Sequence, residues 1–158
     1  MGTSSKSPKD SARTTGEFVG THAVADALAR AASESCRQHE RLDAVMRNGN
    51  PEVELEGIAT VAEACDAHVR TLVAAFERAA PGAFGDEAQR RAASALWLAS
   101  RDFVRRHDGC DLAERELKRH SAQKLTELHA EFELQASALL ALRQAVTAYR
   151  KLRPDAAS

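Results

Sequence analysis

The sequence predicts an all-α protein, an antiparallel up-down four-helix bundle, and three observations predict it. Apolar residues recur every three or four positions through four segments. The helix breakers fall between those segments, with Pro8, Pro51, Pro81 and Pro154 all outside or at the edge of a periodic stretch. No run alternates with period two, as a half-buried strand would. Short connections favour antiparallel neighbours, and hence the up-down order.

Each element can be justified in turn. Thr14-Thr-Gly-Glu17 reads as a capping box, in which a Thr hydroxyl and a Glu carboxylate satisfy the first free amides of a helix. That helix is expected to run to about Arg47. Its stripe is Phe18, Leu28, Ala32, Ser35, His39, Leu42 and Met46, and Gly49 stands where a left-handed C-terminal cap belongs. Asn50-Pro51 restarts the chain with an N-cap side chain and a proline at the first helical position. The second helix runs to about Ala80, stops at Pro81-Gly82, and carries Leu55, Ile58, Val61, Cys65, His68, Leu72, Phe76 and Ala79 on one face.

Asp86-x-x-Gln89 opens the third helix, with Ala93, Leu96, Trp97, Ser100, Phe103 and Val104 on its stripe and an expected end near His107, before Gly109. Asp111-x-x-Glu114 opens a short extra helix over 111–119. Ser121 then caps a long final helix over 122–152, whose stripe is Leu125, Leu128, Phe132, Leu139, Leu142, Val146 and Tyr149. Residues 14–153 are thus expected to form one helical-bundle domain. It lies between a disordered N-terminal tail, 1–13, rich in Ser, Thr and Lys, and a short tail, 154–158.

Composition narrows the function classes. The chain has 158 residues, of which 44% are hydrophobic and only 4% aromatic, so the core must be built from Leu, Val and Ala. A net charge of −1 argues against a nucleic-acid partner held by bulk electrostatics. Arg101, Arg105, Arg106, Arg115, Lys118, Arg119 and Lys124 are interleaved with acids, which marks a solvated face. No apolar run is long enough to span a bilayer. Three cysteines and no apolar leader point to a reducing cytoplasm.

The chemistry concentrates in two related stretches. ESCRQHE (34–40) and EACDAH (63–68) both contain Glu-x-Cys-x-x-His on consecutive helices. Across a hairpin turning at 49–50, Cys36 and Cys65 differ in height by roughly 3 Å, and His39 and His68 by roughly 12 Å, at 1.5 Å rise per residue. Helical side chains lean towards their own N-terminus, which draws the two histidines together. Cys36, His39, Cys65 and His68 are therefore the candidate ligands of a Zn²⁺ site, with Glu34 and Glu63 as acceptors for the imidazole N–H groups. Packing competes with this reading, because a buried cysteine behaves as a small apolar residue. A redox-responsive Cys36–Cys65 disulfide is a third possibility. His129 and Glu133, four apart, read as a solvated helix-face pair. No Glu-x-x-His motif of the di-iron bundles is present.

Too few polar groups fall on the core faces to supply a nucleophile, a base and an oxyanion donor together, so no enzyme is expected. The expected function is a protein-interaction module, with metal binding or metal sensing as the alternative. The final helix also has a second face of small residues, Ala130, Leu134, Ala138, Ala141, Ala145 and Ala148. Pairing of that face with its own copy would make a symmetric homodimer.

Overall fold

The computed structural model describes residues 21–48, 51–79, 86–117 and 122–154. They form four helices: α1 (Thr21–Asn48), α2 (Pro51–Arg78), α3 (Glu87–Leu117) and α4 (Ala122–Leu152). No strand occurs among the described residues. The expected tail 1–13, the capping box at 14–17, the caps at Asn50 and Ser121, and most of the tail 154–158 lie outside them.

Cross-helix bonds fix how the helices run. The Trp97 indole N–H donates to the Val73 carbonyl, and Arg70 pairs with Asp108, so α2 numbers fall as α3 numbers rise. Asp26 pairs with Arg153, and Glu40 with Arg143, so α1 and α4 are opposed in the same way. The Gln89 side-chain amide donates to the Leu152 carbonyl, joining the start of α3 to the end of α4. That bond satisfies one of the free carbonyls at the α4 C-terminus. At the α3 N-terminus the expected cap is present: the Gln89 amide donates to Asp86 Oδ1 at 3.0 Å.

The core lies along one line on each helix. Leu28 and Ala32 of α1, Leu72 and Phe76 of α2, Leu96 and Phe103 of α3, and Leu142 and Tyr149 of α4 are all buried. Alanines at 25, 29, 32 and 93 are also buried, and their small side chains let the backbones approach where aromatics are scarce. Each large side chain taken fully out of water contributes about 1.5–3 kcal/mol.

Three expectations need correction. The separate helix over 111–119 does not exist, because α3 continues through Gly109 to Leu117. One interior glycine costs about 1 kcal/mol relative to alanine, and the segment contains no proline, so continuing the backbone ladder wins over breaking it. Phe132, expected in the core, is exposed. It sits roughly 90° around α4 from the buried line of Ala138, Leu142, Val146 and Tyr149, at 100° per residue. The small-residue face is also divided: Ala138 is buried and Ala145 packs against the core, whereas Ala130, Leu134, Ala141 and Ala148 are exposed.

Candidate metal centre

The line buried on α2 runs Ile58, Ala62, Asp66, Val69, Val73 and Phe76. It is rotated from the stripe through Val61, Cys65 and His68 that hydropathy favoured. Asp66 therefore occupies the core and His68 faces solvent. An aspartate is buried only where charge and lone pairs are met, and here Ser35 and His39 bond to it and His107 stands close by. The Ser35 hydroxyl donates to Asp66 Oδ1 at 2.9 Å. With Nε2 protonated, the His39 ring donates to Oδ2 at 2.9 Å and lies 3.2 Å from Oδ1. His107 Nε2 stands 3.6 Å from Oδ2.

Three helices build this cluster. Ser35 and His39 are one turn apart on α1, so both face α2. On α3 the buried residues Ser100, Phe103 and Val104 continue by one turn to His107. The rings of His39 and His107 meet edge to face at 5.7 Å between centroids, and Phe103 holds the His39 ring in the same way at 5.2 Å. Side-chain exposure rises from 2% at Asp66 through 12% at His39 to 21% at His107, so the cluster is closed below and open at His107.

The ligand atoms of His39, Asp66 and His107 all lie within 4.8 Å of one another, and this is the one such group among the described residues. Two imidazoles and a carboxylate are a donor set that Zn²⁺ accepts. With bonds of about 2.0–2.1 Å, a tetrahedral ion separates its ligand atoms by roughly 3.3 Å. The observed contacts of 2.9 Å and 3.6 Å bracket that edge. The third pair, His39 and His107, lies within 4.8 Å.

Of the four ligands expected from the sequence, only His39 enters the group. Cys36 is buried against the other side of α1, where it lines a cleft with Glu40, Arg143 and Val146. Burial pushes its thiol up to about 12, the charge of Glu40 adds to this, and Arg143 opposes it. Cys65 is half-buried, and its thiol is raised by burial and by the nearby charge of Glu34. Both are free thiols. Glu34, expected behind an imidazole, instead pairs with Arg37 and accepts from Gln38.

The chain matches no known family model, no curated protein and no solved structure. The chemistry of the site must therefore be read from its own geometry. Asp66 and His107 escaped the sequence reading for different reasons. Asp66 lies between the Cys and His of EACDAH, on a line with Ala62, Val69, Val73 and Phe76 that a search for apolar residues interrupts at its one charge. His107 lies one turn beyond Val104, where Gly109 suggested that the helix was ending. A search for polar residues in phase with two apolar stripes would have found both.

Proposed function

We propose that this protein is a metal-binding helical bundle that holds one Zn²⁺ between His39, Asp66 and His107. The observation that supports it is the convergence of these three ligand atoms, one from each of three helices, within 4.8 Å. Ser35 supports the carboxylate through Oδ1 and leaves Oδ2 directed at both imidazoles. Bound zinc would replace the Nε2 proton that His39 shares with Asp66, and would bridge α1, α2 and α3. The site shares only His39 with the set Cys36, His39, Cys65 and His68, so the two assignments are separable.

The test is zinc stoichiometry in the full-length, untagged protein, by calorimetric titration and elemental analysis. One Zn²⁺ per chain is expected, lost in His39→Ala and His107→Ala and retained in Cys65→Ser and His68→Ala. A wild-type protein that takes up no zinc overturns the proposal. Loss of binding in Cys65→Ser, with retention in His107→Ala, would return the site to the Cys/His pairs.

A second reading, an interaction module, is supported by exposed apolar side chains on α4. Phe132, Leu134, Leu140 and Leu152 are each more than 40% exposed on that one helix. Apolar side chains gathered on one helix often mark a contact surface. No helix among the described residues is long and apolar enough to cross a membrane. In this reading a protein partner or a second copy of the chain covers some of these side chains.

A further inference from the structure

We propose that the zinc at His39, Asp66 and His107 keeps a fourth position open to solvent, occupied by water at rest and exchangeable for a small monodentate anion, with Arg70 as the cation that positions the anion. This rests on the metal reading above. Tetrahedral zinc takes four ligands, and the group contains three. Asp66 Oδ2 faces both imidazoles while Oδ1 is held by Ser35 at 2.9 Å, so binding through Oδ2 alone leaves the fourth position to a ligand from outside the group. The floor is closed by Asp66, at 2% exposure, and the His39 ring is backed by Phe103. The remaining approach lies past His107, the most exposed of the three ligands.

Arg70 is tied to the residue that follows His107. It follows Asp66 by one turn of α2, and its Nη2 donates to Asp108 Oδ1 at 2.9 Å, next to His107 in the chain. The Arg70 side chain remains 46% exposed, so its guanidinium has donors left for an incoming anion. Three protein ligands and an exchangeable fourth position are the pattern of reactive zinc sites, whereas structural sites are closed by four. With Zn²⁺ bound beside one carboxylate the centre itself would carry a net positive charge, which favours an anion, and Arg70, whose charge Asp108 partly balances, adds hydrogen-bond donors.

The test replaces zinc by Co²⁺, whose visible d–d bands report the coordination shell, and uses azide as the anion. In the full-length protein loaded with one Co²⁺, azide should shift these bands in a saturable titration. Arg70→Gln should weaken azide binding about three- to five-fold, the effect of one partly exposed charge, with Co²⁺ affinity unchanged, and Arg70→Lys should restore most of it. Stoichiometric Co²⁺ binding with a spectrum that azide leaves unmoved overturns the open position and leaves the metal reading standing. Azide affinity equal in Arg70→Gln and wild type overturns the role of Arg70. Failure to bind either Co²⁺ or Zn²⁺ overturns both the metal reading and this inference.

Discussion

Asp26, near the start of α1, accepts a 2.7 Å hydrogen bond from the hydroxyl of Tyr149, near the end of α4 and 123 positions away in the chain. The same carboxylate takes Arg153 Nε and Nη2 at 2.8 Å and 2.9 Å. Asp26 and Tyr149 are both buried, so the bond pins the two ends of the described chain together inside the bundle. Burial drives the Tyr149 hydroxyl up, and its bond to Asp26 adds to this. Tyr149 therefore remains a donor at all physiological pH values.

Tyr149→Phe should cost about 1–2 kcal/mol, near the lower end for a bond to a charged acceptor, because Asp26 keeps both Arg153 bonds. For a chain of this size that is a fall in Tm of roughly 3–6 °C. Thermal unfolding followed by far-UV circular dichroism measures it, and an unchanged Tm would mean that the bond contributes nothing net.

The acid limb of stability should depend on Asp26. Burial acts to raise its pKa, but the bonds from Arg153 and Tyr149, together with the charges of Arg153 and Arg30, outweigh burial and hold the carboxyl below its ordinary value. A group whose folded pKa is depressed stabilises the fold fully above its unfolded pKa, about 3.9 for Asp, and loses that stabilisation as pH falls through the folded value. Asp26→Asn should thus be less stable than wild type at pH 7, and the gap should shrink below about pH 4. Urea midpoints at a series of pH values test this; a gap that stays constant into acid would refute it.

Asp66→Ala and Asp66→Asn should separate sharply in the metal-free protein. Alanine leaves the buried Ser35 hydroxyl and the His39 imidazole without their shared acceptor, and should cost about 3–5 kcal/mol. Asparagine still accepts from Ser35 and should cost roughly half of that. Trp97, the single tryptophan, stacks near Phe76 and bonds to Val73, so its fluorescence reports α2–α3 separation in the denaturant titration. Equal losses in the two variants would show that the carboxylate charge, and not the acceptor geometry, carries the effect.

Cys36 should resist alkylation in the folded protein. The residue is 6% exposed, and burial together with Glu40 pushes its thiol up to about 12, so almost no thiolate is present at pH 8. Peptide mapping after iodoacetamide treatment should find Cys65 labelled well before Cys36, with Cys36 reacting at the rate of unfolding. Comparable rates for the two in native buffer would contradict the packing of α1 against α4.

The exposed apolar side chains of α4 lead to the last expectation. If a second copy packs on Leu140 and its neighbours, light scattering at about 100 μM, where a dimer of roughly −6 kcal/mol is partly populated, should find dimer, and Leu140→Glu should return a folded monomer. A wild-type monomer at that concentration would end the self-association reading.

Much of the architecture was legible before the structure. The Asp86 cap, the bounds of α4 and the core lines of α1 and α3 follow from capping chemistry and 3.6-residue spacing. These are local properties of the chain, decided within one or two turns. His39 was legible as a site residue for the same reason: it falls in phase with Leu28, Ala32 and Ser35. The lean of helical side chains also applies, although it joins His39 to Asp66, roughly 9 Å away in the hairpin count, and not to His68 at roughly 12 Å.

By itself, then, the sequence determined that this protein is a bundle of four long helices with a mainly aliphatic core, because most helix starts, stops and apolar periods are written within each segment. Only the tertiary structure decided which face of α2 turns inward, because Val61–Cys65–His68 and Ala62–Asp66–Val69 are both compatible with a helix. The choice falls to the line whose one charge finds partners on α1 and α3. It decided likewise that α3 passes through Gly109 to carry His107 on a continuous helix, and that Phe132 stays outside. Burial of a residue depends on what stands opposite it, and that information lies in other helices, far away in the chain.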